Sequence, residues 1–338
     1  MASRTESASQ ADGDHRPQNS VSRPTWLAWG QLVRLPNVFT VLADVAAGYL
    51  IVAGGAEPVP RFVSVLIAGV LLYWAGMILN DVFDVQKDRQ QRPQRPLASG
   101  AISVSVARAV GIAMLVGGVI VAAVAGQLVA DDSAPAVNWT PAMVAAALAV
   151  SVLLYDGPLK ATPVGPLAMG MCRVLSFLLG AAPHFASPAE FPTWLLGMAA
   201  GMGMFVMGVT TIGRREAEKT IDGFQPNLWT GTIVVALGGA MIGVAPRLDI
   251  NAVAWQLSPA GPFLLLVAMV VFPVVVRGFR AARLGTADSI QSAVRSGVLT
   301  IIPLAAAIAF LGAGPFWGLL IFAGVMPALG LSRYFRVT

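Results

Sequence analysis

Residues 80–103 read Asn80-Asp81-Val82-Phe83-Asp84-Val85-Gln86-Lys87-Asp88-Arg89-Gln90-Gln91-Arg92-Pro93-Gln94-Arg95-Pro96-Leu97-Ala98-Ser99-Gly100-Ala101-Ile102-Ser103, directly after an apolar run from Val63 to Leu79. Asp81, Asp84 and Asp88 recur at i, i+3 and i+7, a spacing that puts three carboxylates on one helical face. Like charges so placed repel one another unless a cation joins them. Mg2+ is a hard, oxygen-seeking ion, usually held by one or two carboxylates together with phosphate oxygens and water. Lys87, Arg89, Arg92 and Arg95 follow at once, and guanidinium groups fork onto phosphate oxygens. Acidic face, divalent ion and basic loop together describe a site for a metal-bound diphosphate. The alternative is a solvated helix end of mixed charge. It is disfavoured by position, because charge at the end of an apolar segment is expensive and usually functional.

Of the 338 residues, 56% are hydrophobic and only 12% charged. A soluble domain carries about 25% charged residues, so the chain reads as an integral membrane protein. Its apolar runs are continuous rather than alternating, which favours helices over a β-barrel. The expected fold class is therefore all-α, a polytopic helical bundle. Cys172 is the single cysteine, and the two histidines are His15 and His184. These numbers exclude an intrachain disulfide and argue against a cysteine or histidine metal centre. The net charge of +5 does not point to nucleic acid, because the basic residues gather in alternate loops. Residues 1–23 are polar, without an apolar core, and read as a disordered tail before one membrane domain at 24–338. No signal peptide is expected, since no apolar h-region follows Met1.

Apolar segments fall at 26–54, 62–83, 102–129, 139–155, 164–183, 192–212, 230–246, 260–279, 296–312 and 315–332. Spanning a bilayer takes about 20 apolar residues. The final pair, split only by Gly312-Ala313-Gly314-Pro315, leaves nine or ten spans, and Arg333 with Arg336 favours ten. Lys and Arg collect in the tail and after the second, fourth, sixth, eighth and tenth segments, whereas the intervening loops are poor in them. The positive-inside rule places both termini and the aspartate motif in the cytoplasm.

The motif resembles the first aspartate-rich motif of the UbiA superfamily of intramembrane prenyltransferases. That family carries N-D-x-x-D-x-x-x-D and then a basic segment ending R-P-L-x-x-G-x-I-S. Asn80, Asp81, Asp84, Asp88, Arg95, Pro96, Leu97, Gly100, Ile102 and Ser103 match. The resemblance implies a bundle of typically nine spans in two pseudo-repeated halves, with a central cavity opening to the cytoplasmic side of the cell membrane. It implies Mg2+ bound by Asp81, Asp84 and Asp88, with Asn80, Arg92 and Arg95 near an isoprenyl diphosphate.

Further elements bear on the same resemblance. Asn37, in Arg34-Leu35-Pro36-Asn37, is polar within an apolar segment; a helix–helix hydrogen bond and a cavity-facing contact both account for it. Tyr155-Asp156-Gly157-Pro158-Leu159-Lys160 resembles the family's Y-(x)n-L-K element, in which the lysine approaches the diphosphate. A positive-inside anchor at Lys160 and an interfacial aromatic at Tyr155 are the alternatives. Arg173 lies in an otherwise apolar span and needs a partner, either an acidic substrate group or a structural carboxylate such as Asp44. The family's second motif, D-x-x-x-D, binds a second Mg2+. Here the nearest element is Glu218-x-x-x-Asp222, which leaves that second site open, with Arg214 and Arg215 as direct phosphate contacts in its place. This departure resembles the branch labelled EboC-like.

The resemblance implies Mg-dependent transfer of an isoprenyl group from an allylic diphosphate to an aromatic or other hydrophobic lipid-precursor acceptor, among membrane lipid. A lipid-binding or transport protein with a degenerate second motif is the alternative. Three aligned carboxylates count against it.

Overall fold

The computed structural model describes residues 25–128, 137–214, 225–249, 251 and 253–335, with nothing said of the Tyr334 side chain. The expected tail at 1–23 lies outside these residues, as do Arg215, Glu218, Asp222 and Arg336.

The described residues form twelve α-helices and no strand. They are α1 (Thr25–Leu32), α2 (Val38–Ala53), α3 (Val59–Gln91), α4 (Val104–Gln127), α5 (Thr140–Leu154), α6 (Gly165–Ala181), α7 (Thr193–Gly213), α8 (Pro226–Val244), α9 (Pro262–Leu284), α10 (Ala287–Ala313), α11 (Pro315–Ala323) and α12 (Val325–Tyr334). Ten helical segments among the described residues are long and apolar enough to cross a membrane. The tenth is α11 and α12 taken together, Pro315–Arg333, and is the least buried of the set. The molecule is an integral membrane protein.

Burial sorts the spans into layers. Those built on α2, α6, α7 and α10 are the most enclosed, while α4, α5, α9 and the α11–α12 pair turn outward. Close approach comes from glycine. A methyl group on Gly48 of α2 would strike the Phe177 carbonyl of α6, and one on Gly180 of α6 would strike the Val45 carbonyl of α2. Gly201 of α7 and Gly238 of α8 oppose each other in the same way. Small residues let membrane helices associate through backbone contact where no hydrophobic force acts between them.

Two boundaries differ from the sequence expectation, and both concern the site. The segment expected at 26–54 is broken. Arg34 takes a left-handed backbone with φ 48°, and a 3-10 turn at Leu35–Asn37 containing Pro36 follows it. The span expected at 62–83 runs on to Gln91, so Lys87 and Arg89 are helical rather than in a loop. Residues 84–91 include Gln, Lys and Arg, good helix formers. Arg92, at φ −145° and ψ 61°, ends the helix because a residue before proline is pushed out of the α region.

Candidate active site

The motif face of α3 opens onto a cavity of about 520 Å3. From Gly69 to Gln91 its wall follows α3, a length of roughly 33 Å at 1.5 Å per residue. The character changes along that wall. Gly69, Leu72, Leu148, Val152 and Met169 line one part, and Tyr73, Tyr155, Cys172, Arg173 and Ser176 line the wall beside them. Asn80, Asp84, Lys87, Asp88, Arg92, Arg95 and Lys160 complete the lining, and the last turns of α3 make this the polar mouth. A second cavity of about 470 Å3 adjoins it, lined by Gln31, Asn37, Asp81, Gln94 and Ser332 among others. Arg34, Arg92 and Arg95 belong to both.

At the mouth every motif carboxylate is bonded to a cation. Arg95 Nη1 donates to Asp88 Oδ2 at 2.8 Å and to Asp81 Oδ1 at 3.3 Å. Arg34 Nη2 lies 3.7 Å from the same Asp81 oxygen. Lys160 donates to Asp84 and, at 2.6 Å, to Asn80 Oδ1. Asn80 Nδ2 in turn donates to Asp81 Oδ1 at 3.4 Å. The i, i+3, i+7 face is therefore real, and its three acids are gathered by basic groups from three different connections.

The predicted site residues divide accordingly. Asn80, Asp84, Asp88, Arg92, Arg95, Tyr155, Lys160 and Arg173 line the first cavity, while Asp81 and Asn37 line the second. Arg173 donates to Asp44, and at 2.9 Å to Thr40 Oγ1, which answers the question of its partner in favour of Asp44. Arg214 is directed elsewhere, donating to the Thr162 carbonyl at 2.7 Å. It braces the connection that carries Lys160 and does not line the cavity. Arg215, Glu218 and Asp222 lie outside the described residues.

Three cavity residues escaped the sequence. Pro36 near Arg34 signals a break in the helix, but not that the break brings Arg34 to both cavities. Tyr73 stands seven residues before Asn80 on the same face of α3. Asp156 lies in a π-helical turn at Tyr155–Leu159, a local form often found at functional sites.

Among the described residues no three acidic, histidine or cysteine side chains form a ready-made ion cage. The donors nonetheless suit a Mg2+ ion carried on a diphosphate. A single guanidinium nitrogen reaches both Asp81 and Asp88, so these oxygens already flank a position held by positive charge. One or two carboxylates complete the usual set when phosphate supplies the rest.

The sequence model of the UbiA prenyltransferase family matches residues 41–222, more than half of the chain, and this stretch holds the whole motif face. The chain belongs to the UbiA prenyltransferase family. It is similar to the digeranylgeranylglyceryl phosphate synthase of Methanoculleus marisnigri, 27% identical over 80% of this chain and 92% of that one. The enzyme of the same name from Sulfurisphaera tokodaii is 29% identical over 62% of this chain and 70% of that one. The fold is that of a solved digeranylgeranylglyceryl phosphate synthase structure, with TM-score 0.60, 19% identity, and coverage of 86% of this chain and 99% of that one. It is also that of a UbiA homologue from Archaeoglobus fulgidus bound to GPP and Mg2+, with TM-score 0.55, 16% identity, and coverage of 88% and 99%. As a member of this family the protein is a prenyltransferase, an enzyme rather than a passive lipid carrier.

Proposed function

We propose that this prenyltransferase uses Mg2+ and moves a prenyl group from an allylic prenyl diphosphate to a glyceryl phosphate that already carries one prenyl chain. The observation that carries the donor half is the mouth. Asp81, Asp84 and Asp88 share one face of α3, and Arg34, Arg95 and Lys160 converge on them beside an apolar shaft. The acceptor half rests on two supports. The relatives' name describes a glyceryl phosphate with two prenyl chains. The second cavity brings Arg34, Arg92 and Arg95 together with Gln31, Gln94 and Asn37, a set of donors suited to a phosphate headgroup.

Asp81, Asp84 and Asp88 would hold Mg2+ delivered with the diphosphate. When bound, the ion supplies neutralising charge for the departing diphosphate. Lys160 and Arg95 now spend their donors on the motif carboxylates, and an incoming diphosphate offers those donors a second set of oxygens. Leu72, Leu148, Val152 and Met169 keep water from the allylic cation, so the acceptor captures it. The Lys- and Arg-rich loops support a mouth and both termini on the cytoplasmic side. Reporter fusions at the C-terminus test that orientation, and a periplasmic signal would reverse it.

The deciding experiment uses the full chain in lipid nanodiscs with geranylgeranyl diphosphate and geranylgeranylglyceryl phosphate. The expected result is diphosphate release and a doubly prenylated ether in MgCl2, both abolished by EDTA. Binding of the prenyl diphosphate with no Mg2+-dependent release would overturn the donor half. Transfer to 4-hydroxybenzoate but not to the glyceryl phosphate would overturn the acceptor half.

A further inference from the structure

The four other acidic residues described around the cavities each have a cationic partner. Asp44 is bonded by Arg173, Asp81 by Arg95 and Arg34, Asp84 by Lys160, and Asp88 by Arg95. Asp156 differs. It lines the first cavity and is only 5% exposed, yet its carboxylate has neither a hydrogen bond nor an ion pair among the described residues, and its Oδ2 is buried without a partner. Lys160, one helical turn further on, is already given to Asp84 and Asn80. Burying a carboxylate without a partner is costly, and folding alone gives no reason for it. Apolar residues flank the cavity on α5, and an apolar side chain at 156 would extend that wall at no such cost.

We propose that Asp156 is the general base that takes the proton from the acceptor's hydroxyl group. This rests on the proposed acceptor class. A glyceryl hydroxyl is a weak nucleophile, and its proton must leave as the ether forms. The C1–O bond of the prenyl diphosphate breaks and its electron pair departs with the diphosphate. A lone pair of the acceptor oxygen forms the new bond to C1. The O–H proton passes to a carboxylate oxygen of Asp156 and later to water. The motif carboxylates are poor candidates for this step, since each already bonds a cation, whereas Asp156 keeps its lone pairs free.

The test separates ionisation from capture. Asp156→Asn keeps the shape and removes the basicity. In nanodiscs with both substrates and MgCl2, ether formation should fall about 100-fold, in the range general-base removal gives. The dissociation constant for geranylgeranyl diphosphate should stay within about twofold of wild type, and the released prenyl group should appear mainly as geranylgeraniol formed by water. Asp156→Glu should restore part of the ether. Undiminished ether synthesis by Asp156→Asn would overturn the proposal. So would a fall in diphosphate release that matches the fall in ether, since that marks a leaving-group or structural role. Should Asp156→Asn not purify as one species, Asp156→Ser is read by the same partition. A wild-type protein that makes no ether breaks the acceptor assignment and the base with it. A wild-type protein that makes ether no better than Asp156→Asn breaks the base alone.

Discussion

Two sets of ion pairs occupy this molecule, and they differ in kind. At the mouth, Lys160 and Asp84 keep 31% and 25% of their side chains exposed, and Arg95 divides itself between two carboxylates. Within the bundle, Arg173 is 14% exposed and Asp44 not at all, with Thr40 completing the guanidinium's bonds. The outer set lies at the polar mouth, more exposed than the inner one, and is placed to exchange partners when an anion arrives. The inner set sits where losing a partner leaves bare charge in a low-dielectric medium. Under the proposed function, similar residue types serve turnover in one place and the integrity of the bundle in the other.

The contrast can be broken by four substitutions. The largest effect is expected from Asp84→Ala, which should lower Mg2+-dependent prenyl transfer by about 1,000-fold or more, as loss of a principal charge-stabilising group does. The variant should elute from size exclusion like wild type. Full transfer by purified Asp84→Ala would remove the mouth from the chemistry. Asp44→Ala should behave in the opposite way, costing about 3–5 kcal/mol of stability by stranding Arg173. It would be seen as early thermal aggregation in detergent, with whatever protein survives retaining its affinity for geranylgeranyl diphosphate. A melting curve like wild type would show the inner pair to be dispensable.

The remaining two substitutions act at the mouth. Lys160→Ala removes one charge-assisted donor, worth about 1.5–3 kcal/mol, and should raise KM for the prenyl diphosphate about 10- to 100-fold without changing the melting temperature. Arg34→Ala should have the smallest effect, because the Arg34 side chain is 41% exposed and stands 3.7 Å from Asp81. A several-fold rise in KM for the glyceryl phosphate, with that for the prenyl diphosphate less affected, would assign it to the second cavity. The reverse pattern would assign it to the first.

The motif face was legible in the chain because helical periodicity is local. Asp81, Asp84 and Asp88 needed only a helix to meet, and the apolar run before them supplied it. The apolar segments were legible for the same reason. What depends on three dimensions was not. Nothing near Arg34 says that a left-handed turn aims it at a residue 47 positions later, and nothing near Arg214 says that its donors go to the backbone of the α5–α6 connection. Arg173 announced that it needed a partner without saying whether that was substrate or Asp44. Asp156 carries no local signal of its own, because burial without a partner depends on helices far from it in sequence.

The glycine contacts between α2 and α6 have a consequence for substrate choice. Gly48 and Gly180 lock these helices backbone to backbone, and residues from both, including Val41 and Met169, face the shaft. Helices in backbone contact have little freedom to spread. In the proposed reaction, the side chains that α2 and α6 turn into the shaft would then set the length of tail it accepts, more than any parting of the two helices.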